Sequence, residues 1–204
     1  NLDDYAYLVK ALLHLASASG KNEWLKAADK YAQIVLDEFG HEEGNMFYYT
    51  SVRQKDIPVR KVDVYDGATP SANAVMAHNL LLLGLCMDKP ALYEQAGYML
   101  RQMSGNVLRY PSSFGYWALL LQRYARGLKT VVSVGAEAVE QQNIMRKELL
   151  PQAFFITSQK EISELPALKN KYIAGAAAVY VCTDTYCMPP VSLAEQAIEL
   201  IGSK

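Results

Sequence analysis

The sequence predicts a mainly α-helical body over residues 1–127, followed by a small α/β unit over residues 128–204. Two observations support this division. Apolar residues recur at helical spacing in five segments of similar length, which short loops join in pairs. After Leu128, strand-like runs alternate with helix-like runs, which is typical of α/β units. We therefore expect helical hairpins packed together and one small sheet.

The composition indicates a soluble globular protein without nucleic-acid or membrane partners. The 204 residues are 51% hydrophobic and 20% charged with a formal net charge of -1, so no basic excess is available to hold a phosphate backbone. No apolar run reaches the roughly 18–20 residues that span a bilayer. We expect a cytoplasmic location. Because the chain starts at Asn1 rather than Met, we also expect a piece of a longer protein.

The first two helices are predicted to form one hairpin. An apolar stripe over residues 3–19 stops at Gly20, and a second stripe over residues 24–39 stops at Gly40. Residues 45–65 differ, because aromatic and β-branched residues flank the polar sequence RQKD. That pattern predicts a short β-hairpin or an extended loop.

Three further helices complete the predicted body. Thr69 is a plausible N-cap with Pro70 at the first helical position, where its missing N–H has no cost. The sequence predicts these helices over residues 70–87, 90–104 and 112–126. A loose repeat at about 65 residues relates LDDYAYLVKALLHLA to PSANAVMAHNLLLLG, as in proteins built from repeated hairpins.

The C-terminal unit is predicted from alternating patterns. Buried-looking strands are expected near residues 130–135, 152–157 and 177–182, with helices over residues 136–150 and 192–201. The three cysteines are too few for a disulfide scaffold. Cys182 and Cys187 are expected close enough to oxidise and are not expected to bind zinc, because the chain offers no second ligand pair.

The polar stretch DVYDGATPSANAV raises the question of function. If the hairpins stack side by side, the first helix of each pair begins at the same rim, where free N–H groups and positive dipole ends collect. Carboxylates, amides, hydroxyls and aromatic rings there suit a polyhydroxylated ligand such as a sugar. Arg53 and Arg60 are expected to overhang the rim. The predicted binding residues are Asp3, Asp4, Tyr5, Tyr65, Asp66, Ser71 and Asn73.

A purely structural interpretation stays open for each of these residues. Asp66-Gly67 is a common turn pair, and aspartates often begin helices. Asn73 is different, because an amide inside an apolar helix needs a partner or lines a cavity. His78 is expected to be a satisfied core or rim histidine. We predict no metal and no cofactor, and the residues assign no catalytic group.

The sequence also resembles a known family. The segments NLDDYAYLVKALLHLA, EWLKAADKYAQIVLDEF, VYDGATPSANAVMAHNLLLLG, PSSFGYWALLL and VYVCTDTYCMPPV occur here in that order. They are similar to segments of the widespread thioredoxin-domain-containing family whose vertebrate member is called spermatogenesis-associated. The resemblance covers the whole chain and corresponds to about the last third of such a protein. We expect a bacterial member.

The resemblance implies a specific architecture. Family members look like an N-terminal thioredoxin-like domain joined to an (α/α)6 toroid of the six-hairpin glycosidase type, similar to N-acylglucosamine 2-epimerase, with a short α/β segment at the end. This chain then corresponds to a partial toroid without the thioredoxin-like domain and the first toroid half. Ala72 stands where the family usually has glycine.

Two functions follow as expectations. The first is a fragment of a carbohydrate-active domain, a sugar epimerase, isomerase or glycosidase-like enzyme, that has no turnover by itself. The second is a non-catalytic interaction domain that serves a thioredoxin-like module. Expected partners are a sugar or polyol, the missing thioredoxin-like domain and toroid half, and a second copy of the chain through apolar faces that a cut ring exposes.

Overall fold

A computed structural model describes residues 1–41, 44–162, 164–184 and 186–202. The described chain is mainly α-helical, about 53% helix with a small four-stranded sheet, as the sequence predicts. The helices are α1 Leu2–Ser19, α2 Glu23–Phe39, α3 Ala72–Cys86, α4 Pro90–Arg109, α5 Gly115–Arg126, α6 Ala138–Met145 and α7 Ala194–Gly202. The strands are β1 Lys129–Val134, β2 Ala153–Ser158, β3 Ala178–Thr183 and β4 Tyr186–Cys187.

Most predicted helices and strands are confirmed to within a few residues, and several details differ. Helix α4 continues to Arg109, where Pro111 disfavours a helical conformation of the residue before it. Helix α6 is shorter than predicted, because bonds three residues apart, such as Lys147 N–H to Ile144 O, replace the α-helical ones after Met145. Strand β4 was not predicted, since two residues carry no periodicity.

Contacts divide the chain into two compact units. The first comprises Asn1–His14, Glu23–Gly84 and Lys89–Ala125. The second comprises Leu15–Asn22, Leu85–Asp88 and Arg126–Lys204. The end of α1 with the turn after it, and the end of α3, therefore belong with the C-terminal residues rather than with the other helices. Gly20 ends α1 with a positive φ of 70°, a conformation that glycine adopts without strain.

Helix α3 lies at the centre of the first unit, and every residue from 71 to 84 is buried. Its polar side chains therefore need partners. The Asn79 amide donates to the Ala6 carbonyl at 2.8 Å. Gly84 allows close packing, because a Cβ there would lie 2.8 Å from the backbone nitrogen of Tyr93 in α4.

The described residues between α2 and α3 form the extended loop that the sequence predicts. Two isolated antiparallel bridges, Gly40 with Phe47 and Tyr48 with Val62, are its β-contacts. The two arginines of the loop bind groups near the end of α2. Arg60 donates to the Thr50 and Glu38 carbonyls, and Arg53 pairs with the Glu38 carboxylate.

The second unit is built on a sheet of order β2-β1-β3-β4. Strands β1 and β2 are parallel and α6 connects them, whereas β3 is antiparallel to β1 and to β4. Side chains from the sheet, α6 and α7 form one apolar core. Its members are Val131, Met145, Phe155, Val179, Val181, Ala194, Ala197 and Ile201.

Cys182 and Cys187 form a disulfide across the paired strands β3 and β4, which confirms that the two side chains meet. Cys86 is a free, fully buried thiol whose pKa burial raises to about 12, so it behaves as an apolar core residue. No helix in the described ranges has the length and apolar character needed to cross a membrane.

Candidate functional site

A pocket with a volume of about 190 Å³ lies where α1 and α3 begin, within the first unit. Gly67 and residues 69–72 form part of its wall. The polar residues that line it are Asp3, Tyr49, Asp63, Tyr65, Thr69, Ser71 and Asn73. We call this the polar pocket. Its wall carries two carboxylates and no cationic side chain among the described lining residues.

Asp3 and Tyr49 form one side of the polar pocket. The Tyr49 hydroxyl is hydrogen-bonded to the Asp3 carboxylate, and the charge of Asp3 followed by this bond raises the pKa of Tyr49. The phenol therefore stays protonated at neutral pH and donates to the carboxylate. The Leu2 N–H donates to the Tyr49 carbonyl at 2.9 Å, which ties the loop to the start of α1.

Asp66 and Ser71 hold two helix starts together. The Asp66 carboxylate accepts from the Ser71 N–H at 2.8 Å and from the Tyr116 N–H of α5 at 2.7 Å. The Ser71 hydroxyl accepts from the Ala74 N–H at 3.3 Å, so Ser71 is the N-cap of α3. The prediction of Thr69 as cap and Pro70 as first helical residue is wrong, because the Asp66 carboxylate fixes the chain at Ser71 instead.

Asn73 joins α3 to the extended loop. Its carbonyl oxygen accepts from the Phe47 N–H at 2.8 Å, and its amide donates to the Phe47 carbonyl at 2.9 Å and the Asp63 carbonyl at 2.7 Å. The residue is fully buried. Both amide hydrogens are therefore used by backbone groups, which favours the structural interpretation of this asparagine over direct ligand binding.

The seven predicted binding residues do not all meet. Asp3, Tyr65, Ser71 and Asn73 line the polar pocket, whereas Asp4, Tyr5 and Asp66 are outside its lining. Asp4 is exposed and pairs with the N-terminal amine at 2.9 Å. The Tyr5 ring packs against Phe39 and Tyr31, with ring centroids 5.4 and 6.4 Å apart, so Tyr5 is a packing residue.

Two polar side chains of the pocket, those of Tyr49 and Asp63, were not among the predicted binding residues. Tyr49 and Asp63 lie in the extended loop, and long-range backbone pairing brings them to α1 and α3. Tyr65 is 66% exposed and its ring lies 5.1 Å from that of Phe114, so one aromatic face borders the pocket entrance. The two aspartates around Tyr65 in VDVYDG were the available sequence signal for Asp63, and no comparable signal marked Tyr49.

His78 has the environment that the sequence predicts for it. The ring is 5% exposed, and its Nδ1 lies 2.9 Å from the Tyr116 hydroxyl. Across the described ranges, no group of three or more His, Cys, Asp and Glu side chains is arranged to hold a metal ion. The described residues that line the polar pocket offer hydrogen-bonding groups and aromatic rings.

The sequence of the chain is similar to regions of several longer proteins. The chain is 31% identical over 208 residues to an uncharacterised protein of Caenorhabditis elegans, an alignment that covers 98% of this chain. It is 29% identical over 203 residues to spermatogenesis-associated protein 20 of Rattus norvegicus and 27% identical over 207 residues to that of Homo sapiens. These similarities support the assignment of the chain to the spermatogenesis-associated family. No protein-family model matches the chain.

The same alignments limit what the chain can share with these relatives. It spans 28% of the length of the nematode protein and 26% of the length of the rat and human proteins. All three relatives are animal proteins and give no support to a bacterial source. The similarity therefore covers one region of much longer proteins.

Proposed function

We propose that this chain is part of a carbohydrate-active protein with an (α/α)6 toroid, and that its polar pocket holds a neutral, hydroxyl-rich ligand. The supporting observation is the chemistry of the pocket wall. Asp3 and Asp63 supply carboxylate acceptors, Ser71 and Tyr49 supply hydroxyl groups, and the exposed ring of Tyr65 borders the entrance. Hydroxyl groups of a sugar donate well to carboxylates.

The charge and size of the pocket narrow the ligand. Two carboxylates without a lining cation disfavour an anion. The volume of about 190 Å³ is below the roughly 300–1000 Å³ of drug-sized ligand pockets, so one monosaccharide unit or a smaller polyol is the fitting class. Several hydrogen bonds of about 0.5–1.5 kcal/mol net each imply weak, millimolar-range binding.

Turnover belongs to the longer protein in this proposal. A sugar epimerase, isomerase or glycosidase-like reaction needs a proton-transfer pair in contact with the substrate. In the described chain, Asp3 is engaged by Tyr49 and Asp63 by the Tyr65 N–H, at 3.1 Å in the latter case. These contacts orient the carboxylates as hydrogen-bond acceptors, and we expect no activity from the 204 residues alone.

Isothermal titration of the chain with glucose, mannose and N-acetylglucosamine tests this proposal. Asp3→Asn is the informative variant, and Asp4→Asn is its matched control because Asp4 is adjacent, acidic and outside the pocket lining. We expect about tenfold weaker binding for Asp3→Asn, equivalent to about 1.4 kcal/mol, and unchanged binding for Asp4→Asn. Equal affinities of both variants, or no binding of any sugar at 50 mM, would contradict the proposal.

A second candidate function has its own supporting observation. Large apolar side chains are exposed in the first unit, among them Leu108 at 86% and Leu8 at 40%. Exposed apolar surface often marks contact with another domain. The chain would then be a non-catalytic interaction domain that packs against the remaining toroid half, a thioredoxin-like module or a second copy of itself.

A further inference from the structure

A second group of polar side chains lies along the helices of the first unit, and none of its members lines the polar pocket. Lys10 and His14 are one turn apart on α1, His78 is on α3, and Tyr116 and Arg123 are on α5. We call these five residues the donor cluster. All of them belong to the same compact unit.

Burial keeps the His78 ring neutral, and its two neighbours determine which nitrogen carries the proton. Its Nε2 lies 3.5 Å from Arg123 Nη1, and a guanidinium can only donate, so Nε2 accepts. The ring proton is then on Nδ1 and donates to the Tyr116 hydroxyl at 2.9 Å. Burial, followed by the charges of Arg123 and Lys10, lowers the pKa of His78 to about 3, which agrees with the neutral form.

This arrangement leaves the Tyr116 hydroxyl hydrogen free to donate. Its oxygen accepts from His78, and burial raises the pKa of Tyr116 to about 12, so the phenol keeps its proton. The Lys10 ammonium lies 4.6 Å from the centroid of the Tyr116 ring and 6.0 Å from that of Tyr7. The Lys10 ammonium therefore lies over the ring that carries this hydroxyl.

The cluster brings two cations together, and the nearest carboxylate that the structure shows, that of Asp66, is bound to the backbone N–H of Tyr116. Within residues 1–41, 44–162, 164–184 and 186–202, neither Lys10 nor Arg123 forms an ion pair. Burial, and then the charge of Arg123, lowers the pKa of Lys10, although Tyr7 opposes this. Partial burial of the ring, followed by the charges of Lys10 and Arg123, lowers the pKa of His14. Like charges brought together in this way destabilise the fold unless an anion joins them.

We infer that the donor cluster is a binding site for the anionic group of a small ligand, a phosphate or a carboxylate. The ammonium of Lys10, the guanidinium of Arg123 and the hydroxyl of Tyr116 are all donors, and oxyanions are pure acceptors. His14 is exposed and Lys10, Tyr116 and Arg123 are half-buried, so solvent reaches the donors. The buried His78 ring contacts Tyr116 and Arg123. The inference is independent of sugar binding in the polar pocket.

Calorimetric titration of the folded chain with inorganic phosphate and, separately, with malonate tests the inference. The ionic strength is held constant with sodium chloride so that general screening does not change. Saturable binding of either probe supports the site, and the stronger probe identifies the anion class. No saturable binding of either probe at 50 mM overturns the inference.

Substitutions then locate the binding. Lys10→Gln and Arg123→Gln are expected to weaken it about tenfold each, because a charge-assisted hydrogen bond is lost. The charge-matched controls Lys30→Gln and Arg109→Gln remove exposed cations outside the cluster and are expected to leave it unchanged. Tyr116→Phe should weaken binding a few-fold. Equal weakening by controls and cluster variants would show general charge attraction and overturn the site.

A charge-preserving variant separates binding from folding. Lys10→Arg keeps the cation, so it is expected to retain binding within a factor of about three and the thermal midpoint of the parent chain. If Lys10→Gln unfolds, the anion affinities of Lys10→Arg and Arg123→Gln are compared instead, and weaker binding in Arg123→Gln alone supports the site. Retained affinity in Arg123→Gln would contradict the inference.

Discussion

The polar pocket and the donor cluster use polar side chains in opposite ways. In the pocket, the side chains of Ser71 and Asn73 form hydrogen bonds to backbone groups of the loop and helix. In the cluster, the Lys10 ammonium lies over the Tyr116 ring, and the Arg123 guanidinium lies 3.5 Å from a neutral histidine. The hydrogen-bonding groups of polar residues at a helix start are thus partly occupied by backbone partners, whereas the cations on a helix face remain available to a ligand.

The difference is also energetic. Asp66 satisfies N–H groups at the beginnings of α3 and α5, and Asn73 satisfies three backbone groups, so both stabilise the fold. The donor cluster gathers two cations and His14 in one place and gains nothing from their mutual repulsion. Substitutions of Asn73 and Asp66 should therefore lower stability, whereas substitutions of Lys10 and Arg123 should change binding.

Asn73→Ala should produce the largest loss of stability. Truncation leaves the Phe47 N–H, the Phe47 carbonyl and the Asp63 carbonyl without their partner, and we expect a loss of about 3–5 kcal/mol. Urea denaturation measures the free energy of unfolding, with Asn106→Ala as the exposed control expected to lose under 0.5 kcal/mol. A loss below 1 kcal/mol with abolished sugar binding would instead show that Asn73 is a ligand-binding residue.

Asp66→Ala should come next, with a loss of about 2–3 kcal/mol. Two hydrogen bonds to a charged acceptor disappear, and the N–H groups of Ser71 and Tyr116 lose their partner. Asp66→Asn keeps one acceptor and should lose about 1 kcal/mol. Asp56→Ala, in an exposed turn, is the control and should be neutral; equal losses at the two aspartates would refute the capping role.

The neutral state of His78 predicts a pH dependence of stability. Its pKa is about 3 in the folded chain and about 6.5 when unfolded, so the unfolded state binds more protons between these values. The free energy of unfolding should therefore fall by up to about 1.4 kcal/mol per pH unit as the pH drops from 6 to 4. His14 adds to the slope in the same direction.

Comparison with His78→Gln isolates this contribution, because glutamine does not titrate. Urea denaturation at pH 4.5, 5.5 and 6.5 should give a flatter dependence for the variant than for the parent chain. Parallel slopes would show that His78 is not held neutral by the donor cluster.

Self-association is the smallest expected effect. If the chain is part of a ring, exposed apolar side chains such as Leu108 and Leu8 mark surface that other helices cover. We expect concentration-dependent dimerisation in sedimentation equilibrium, weakened about tenfold in Leu108→Lys, equivalent to about 1.4 kcal/mol. A monomer at all concentrations would count against a cut ring.

The helices were predictable because their patterns are local. The apolar stripe of α1 and its end at Gly20 follow from spacing and from glycine's tolerance of positive φ. The position of the α3 cap was not predictable, because Ser71 is selected by the carboxylate of Asp66, which also reaches Tyr116, 50 residues along the chain. Strand β4 likewise exists through pairing with β3.

The candidate site was predictable only in part, for the same reason. Asp3 and Ser71 were expected near each other, and the pocket contains both, yet Tyr49 reaches Asp3 through the backbone pairing of the loop. The donor cluster gave no sequence signal, since Lys10, His78 and Arg123 lie on three helices and form no motif. Tertiary packing alone brings them together.

Mapping of backbone amide shifts tests the contrast between the two regions most directly. A ¹⁵N-labelled chain is titrated first with glucose and then, after dialysis, with inorganic phosphate. We predict that glucose shifts amides near residues 2–3, 49 and 63–73, whereas phosphate shifts those near residues 7–14, 78 and 116–123, without overlap. The same set of shifts for both probes, or glucose shifts around Lys10 and Arg123, would contradict the account.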